Sequence, residues 1–300
     1  MGAIERLGVV GCGLMGAGIA EVGARAGVPV TVVERDVAAV EAGRGRIVRS
    51  LDRAVAHGRL TAERRAAALG LITVVDEIEA LHDRDLVVEA VAEDVRVKLD
   101  LFGRLDRVVT APDAILATNT SSIPVIRLAA ATARPGQVVG VHFFNPVPVL
   151  RLVEVVPSLL TSADTTARAA DFVVGVLGKE VVHAQDRAGF VVNALLVPYL
   201  LAAVRMVESG VASVEDIDRG MVLGCAHPLG PLALTDLIGL DTTRAIAESL
   251  YAEFKEPLYS PPPLLSRMVE AGLLGRKSGR GFHPYPERAP GEAAARVTRP

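Results

Sequence analysis

The residues with the most chemical content lie near the middle of the chain. In "HFFNPVPVLRLVEV" (142–155) His142 stands beside two of the chain's seven phenylalanines, and a lone acid, Glu154, follows in an otherwise apolar run. Pro148 is midway between the two. A chain reversal there lays His142 and Glu154 face to face on neighbouring strands. A carboxylate against one imidazole nitrogen fixes the ring tautomer and stabilises the imidazolium, which leaves the other nitrogen to take a proton. The two adjacent phenylalanines would exclude water and strengthen that coupling. From these residues alone a second reading stands beside the first: a hydrogen-bonded core histidine, with Glu154 a solvated edge residue. The remaining histidines, His57, His82, His183, His227 and His283, have no such partner in the sequence and read as structural.

Further constellations surround this one. "VVGCGLMG" spaces Gly11, Gly13 and Gly16 as G-x-G-x-x-G, after a strand-like run and at the opening of a helix. In that context the glycines permit a tight turn, close approach of backbone amides to a pyrophosphate, and close helix–sheet packing. The helix N-terminus then stabilises the phosphate charge. Glu34 ends the next strand, where a carboxylate accepts both ribose hydroxyls of NAD and repels a 2′-phosphate. Arg35 is the competing feature, and the balance favours NAD over NADP. "ATNTSSIPV" closes an apolar strand with small polar residues, Thr118 to Ser122, which suit either a ligand oxygen or an ordinary polar turn. Asn193 is a lone amide in the apolar "GFVVNALLVPYL", either an interhelical polar contact or a site residue. If buried, it must find partners.

Elements must hold these residues in place. Short β-branched runs at 6–11, 28–34, 85–91, 114–118, 138–144, 151–156 and 180–184 alternate with helical segments, including an Arg- and Ala-rich helical stretch over about 37–69. This is the pattern of an α/β, mainly parallel, doubly wound Rossmann-like sheet. From about 187 only helical patterns follow, so the reading is an N-terminal domain over 1–186, an all-helical domain over 187–285 and a loose polar tail over 286–300. "SVEDIDRGMVLG" opens with Ser213 and Asp216 as a near capping box. Helices over 190–207 and 229–250 are apolar over a wide arc, which predicts a homodimer through the second domain.

Composition bounds the possibilities. The 300 residues carry a formal charge of −3 and a pI near 6.1, with half the residues hydrophobic, which argues for a globular chain and against a nucleic-acid binder. Lysine occurs only at 98, 179, 255 and 277, the other basic residues being arginine. Cys12 and Cys225 have neither disulfide-framework nor metal-ligand spacing, so no metal is expected and a reducing cytoplasm fits. The start of the chain shows no secretory signal or myristoylation pattern. The apolar run 188–204 is interrupted by Asn193 and Pro198 and reads as a buried helix in place of a membrane span.

Taken in order, "GCGLMGAGIA", "VVEAVAEDVRVK", "NTSSIPV", "HFFNPVPVLRLVEVV", "AGFVVNALLVPYL", "EDIDRGMVLGCAHPLGPLALTDLIGLDTT" and "GRKSGRGFHPY" closely resemble the L-3-hydroxyacyl-CoA dehydrogenase family, its bacterial short-chain 3-hydroxybutyryl-CoA type above all. The resemblance covers about residues 5 to 285. It implies reversible oxidation of a 3-hydroxyacyl thioester with NAD, His142 being the general base and Glu154 its orienting partner. It implies substrate contacts at Ser121 and Asn193. NAD contacts fall on the glycine loop (Gly11, Gly13, Leu14, Met15, Gly16), Glu34, Glu93, Lys98, Ser121, Asn145 and Lys277. The family's Ser–Lys pair for CoA falls on Ser50 and His57, so the lysine is absent, with Arg53 or Arg59 available to replace its charge. The family's usual Asp is here Glu34, and its proline before "GF" is Ala188. Rival readings are a dehydrogenase of another hydroxyacid, such as a carrier-protein-bound hydroxyacyl group or a sugar acid, and a non-catalytic NAD-binding protein.

Overall fold

The structure, a computed structural model, describes residues 2–285; the expected tail over 286–300 lies outside them. The chain divides into two compact units, the first ending at Val191 and the second beginning at Val192.

In the first unit, eight strands form one sheet: β1 (Leu7–Val10), β2 (Val30–Val33), β3 (Ile72–Val75), β4 (Leu86–Glu89), β5 (Ile115–Thr118), β6 (Val138–Phe143), β7 (Leu152–Pro157) and β8 (Glu180–His183). Their order is β3-β2-β1-β4-β5-β6-β7-β8. Neighbours run parallel throughout except β6 and β7, which pair antiparallel. The strand order reverses at β1, and in open α/β sheets ligands sit outside the carboxyl ends of strands at such a point.

The β-branched runs form strands because helices cover both faces. On one face α1 (Leu14–Arg25) and α2 (Val37–Ala56) bury Ile19, Ile47 and Leu51 in one core with Val9, Val32, Val139 and Val141. On the other, α4 (Val95–Val108) and α5 (Val125–Ala129) bury Phe102, Leu105 and Leu128 against Val87, Leu116 and Val138. Each such side chain contributes about 1.5–3 kcal/mol on leaving water. Helix starts are fixed by side-chain caps. Asp36 accepts from Ala39 N, and Asp94 accepts from Arg96 N and Val97 N at the start of α4. The α5 amides of Val125 and Ile126 donate to Asp186, each at 2.7 Å.

The stretch over 37–69 is not one helix. It ends at Ala56, turns through Gly58 at φ 66°, and restarts as α3 (Ala62–Gly70). The strand β3 that follows was not expected. It lies at the sheet edge with a partly exposed face, so it lacks the continuous apolar signature of the central strands. After β7 come α6 (Ala163–Asp171) and a single π-helical turn, Phe172–Val176.

The second unit is helical: α7 (Val192–Glu208), α8 (Val214–Cys225), α9 (Pro231–Ile238), α10 (Leu240–Phe254) and α11 (Pro263–Glu270). Ser213 caps α8 by accepting from Asp216 N at 3.1 Å. The expected helix over 229–250 is broken at Gly239, whose φ of 103° belongs to glycine, so α9 and α10 are separate. Buried Asp236 of α9 accepts from Phe282 N, His283 N and the Tyr285 hydroxyl, which anchors the "GRGFHPY" segment. A Cβ on Gly281 would stand 1.9 Å from that carboxylate. No helix among the described residues is long and apolar enough to cross a membrane.

Candidate active site

The antiparallel β6–β7 pair does what the symmetry about Pro148 requires. His142 and Glu154 are direct cross-strand partners, and Nδ1 of His142 donates to Glu154 Oε2 at 2.8 Å. Strand alternation puts them on the face of Val138 and Val156, beneath α4 and α5, and both are buried. The second carboxylate oxygen accepts Val191 N at 3.0 Å, so Glu154 is anchored from both sides. A solvated edge residue it is not. The aromatic walls differ from expectation. Phe143 points to the opposite face and joins the core there, whereas Phe144 and Phe190 set their rings edge-on to the imidazole at 4.6 and 5.5 Å. Phe190 holds a φ of 47°, a conformation uncommon outside glycine, in the turn that turns its ring toward His142.

The polar run after β5 is mostly occupied. Thr118 donates to Glu89 Oε2 at 2.7 Å, Asn119 Oδ1 accepts Phe143 N at 2.8 Å, and the Thr120 hydroxyl donates to Glu93. Glu93 also receives Ser121 N at 3.2 Å and the Ser122 hydroxyl at 3.0 Å. Of the run, Ser121 keeps its hydroxyl free of hydrogen bonds among the described residues. Asn119 thus holds the end of β6 in register beside His142.

Lys98 lies beneath this loop, 1% exposed, with Nζ 2.7 Å from Glu89 and 3.0 Å from Glu93. Burial pushes the Glu93 carboxyl up, but Lys98 and the Thr120 and Ser122 hydroxyls outweigh it and hold the carboxyl below its usual range. Glu89, fully buried, accepts Val91 N at 2.8 Å as well.

At the carboxyl end of β1, Gly11 adopts a φ of 89° and donates to Val33 O. A Cβ on Gly16 would stand 1.8 Å from Gly11 O, while one on Gly13 would meet nothing. No side chain caps the first turn of α1, Leu14 and Met15 included, which leaves its amides to a ligand. Glu34 Oε1 accepts Cys12 N at 2.6 Å, and Arg46 donates to Cys12 O at 2.6 Å, so the ribose-side carboxylate braces the loop itself. Arg35 is turned to Asp36 at 3.1 Å. Burial, then the nearby Glu34, pushes the Cys12 thiol up to about 12, so it stays neutral.

The remaining expected residues are scattered. Ser50 and Arg53 share a face of α2 with His57, which closes the helix by an Nδ1 contact to Arg53 O at 2.7 Å. Asn145 is exposed in the turn after β6. In the second unit Asn193 occupies the first turn of α7 and is half-buried, so burial does not force it to find partners; Lys277 Nζ is 2.6 Å from the Asp241 carboxylate. There too His283, read as unpartnered, has a carboxylate: Nε2 lies 2.8 Å from Asp218, which also accepts Leu232 N and Ala233 N at the start of α9. His227 Nδ1 meets the Tyr199 hydroxyl at 3.2 Å. Sequence reasoning missed Glu89 and Phe190, and took in Asn119 only as one of the polar run Thr118 to Ser122. The signal available for Glu89 was its place at the carboxyl end of a buried strand.

A family model described as "3-hydroxyacyl-CoA dehydrogenase, NAD binding domain" matches residues 6–187, and the model of the same family's C-terminal domain matches 189–285. The chain belongs to the 3-hydroxyacyl-CoA dehydrogenase family. A Mycobacterium tuberculosis relative named 3-hydroxybutyryl-CoA dehydrogenase is 61% identical over 283 residues, 94% of this chain and 99% of the relative. The crystal structure of M. tuberculosis FadB2 superposes with a TM-score of 0.94 at 61% identity, covering 95% of this chain and 100% of that one. That of (S)-3-hydroxybutyryl-CoA dehydrogenase PaaH1 from Ralstonia eutropha gives 0.89 at 44% identity, with 95% and 100% coverage. As in the 3-hydroxyacyl-CoA dehydrogenase NAD-binding domain, the cofactor is NAD, and the open Gly13, the uncapped α1 N-terminus and Glu34 fit it.

Proposed function

We propose that this member of the family interconverts short-chain L-3-hydroxyacyl-CoA, of the 3-hydroxybutyryl-CoA type, and 3-ketoacyl-CoA. The observation that carries the reading is the buried 2.8 Å contact between His142 and Glu154 at the carboxyl end of β6, in the sheet that carries the glycine loop at β1. Nδ1 is committed to Glu154, so the proton of the substrate's 3-hydroxyl goes to Nε2, and Glu154 stabilises the resulting imidazolium. NAD, when bound, takes the hydride from C3. The free Ser121 hydroxyl donates to the reacting oxygen, and Phe144 and Phe190 keep water from the imidazole. The glycine loop with Leu14 and Met15 holds the pyrophosphate, Glu34 the ribose, and Glu93, Lys98, Ser121 and Asn145 line the rest of the dinucleotide. Ser50, Arg53 and His57 offer a polar, basic helix face to CoA.

The names of the M. tuberculosis and R. eutropha relatives support the short acyl chain. Leu195, Leu223 and Leu237 expose apolar surface on α7, α8 and α9, which supports a homodimer through the second unit, and free Cys12 and Cys225 suit a reducing cytoplasm. The domain boundary falls between 186 and 192. The test is a panel of 3-ketoacyl-CoA esters assayed for NADH oxidation, with each ester's pantetheine thioester alongside. Highest kcat/KM for acetoacetyl-CoA, and loss of rate with retained NADH binding in His142→Gln, support the reading. Equal turnover of pantetheine and CoA thioesters would move the substrate class to a carrier-bound or free hydroxyacid.

A further inference from the structure

Glu89 and Lys98 are deeply buried charges outside the His142 pair, 0% and 1% exposed at the side chain, with Glu93 at the outer end of the same cluster, 40% exposed. Burying an ion is costly unless it is paired. Lys98 needs one carboxylate to balance it and has two. With both carboxylates ionised, the cluster carries one excess negative charge, shared between Glu89 and Glu93.

Its location follows from the sheet. Glu89 is the cross-strand partner of Val10, the residue before Gly11, and Ala90 N donates to Val10 O at 2.8 Å. Glu34 follows β2 on one side of the glycine loop, and the cluster lies at the end of β4 on the other. A dinucleotide with its pyrophosphate at the loop and its adenosine ribose at Glu34 extends its other half over β4 and β5, toward Glu93 and Ser121. That half is the nicotinamide nucleoside, whose ring is cationic when oxidised and neutral when reduced. Resting on the reading that Glu93 and Lys98 line the cofactor, we propose that the Glu89–Lys98–Glu93 cluster is a fixed negative charge that favours the oxidised over the reduced cofactor. Glu89 acts as a positioning residue: it reaches the ring's charge through Lys98, and ties Lys98, Thr118 and Val91 into one frame.

The experiment compares dissociation constants of NADH, by fluorescence titration, and NAD⁺, by competition against NADH, for intact enzyme variants. Glu89→Gln removes the excess charge and should weaken NAD⁺ roughly tenfold more than NADH, the scale of one unit charge acting across a partly desolvated cleft. Thr118→Val removes a hydrogen bond to Glu89 at constant charge, and should move both constants by the same factor. Should Glu89→Gln fail to fold, Glu93→Gln takes the same unit of charge from the exposed end and should again weaken NAD⁺ selectively. Equal weakening of both cofactors in the glutamine variants would overturn the charge discrimination while leaving the lining intact. No change in either constant would overturn both, because the cluster would then not face the cofactor.

Discussion

Glu154→Gln isolates what the carboxylate does for His142. Glu154 accepts Nδ1–H of His142 at 2.8 Å on one oxygen and Val191 N at 3.0 Å on the other. Glutamine offers one acceptor and one donor, so one contact must fail. With its carbonyl toward Val191, its NH₂ faces Nδ1, the ring proton moves to Nε2, and the ring has no free nitrogen for the substrate's proton. With its carbonyl toward His142 the tautomer survives, but the Val191 amide is left unsatisfied at about 1–3 kcal/mol. The active arrangement is disfavoured by that amount. In it a charge-assisted hydrogen bond to the imidazolium becomes a neutral one, a further loss of about 1 kcal/mol. The total of about 2–4 kcal/mol corresponds to a hydride-transfer rate lower by roughly 30- to 1000-fold. A stopped-flow single turnover in the oxidation direction, with enzyme and NAD in excess over 3-hydroxybutyryl-CoA, reads that rate, and NADH fluorescence titration reads binding, which should change little. An unchanged single-turnover rate, or a loss confined to NADH binding, refutes the argument.

Three further outcomes are expected. Glu34→Ala removes the ribose acceptor and the bond to Cys12 N together, so KM should rise more for NAD than for NADP; a wild-type enzyme that already prefers NADPH in parallel assays defeats this. Glu93 is held below its ordinary value of 4.5, so the stability it contributes is complete above that pH and is lost as pH falls through the lower folded value; in acid melts Glu93→Gln should flatten the dependence in that window. Arg53→Ala combined with Arg59→Ala should raise KM for acetoacetyl-CoA a few-fold while sparing kcat, since remote binding is lost equally from ground and transition states, and the KM for the pantetheine thioester should stay unchanged.

Signals of short range were legible in the sequence, and those spanning distant segments were not. The glycine loop could be read because its requirements are local: a strand end, a turn and a helix start within one short segment. The His142–Glu154 pair could be read because a hairpin ties sequence symmetry to spatial pairing. Glu89 escaped because its partners come from β5 and α4: its place at the carboxyl end of a strand was visible in "VVEAV", but the partners that keep the carboxylate buried were not. His283 and Asp218 lie 65 residues apart, a separation that no local pattern encodes. Phe190 displaced Phe143 as the second aromatic wall because strand alternation sends Phe143 to the far face, and the compensating ring arrives from beyond β8.

The antiparallel ladder under the dyad makes proton transfer an all-or-none property of each molecule. A one-residue slip of β7 against β6 would bring Val153 or Val155 opposite His142, both wholly buried and incapable of accepting Nδ1–H, with no intermediate arrangement between the two registers. Substitutions that loosen this hairpin should therefore thin the population of competent molecules and leave the rate constant of each survivor untouched. Specific activity in such a preparation counts molecules in register, and active-site titration normalised to turnover tells that loss apart from a slower chemical step.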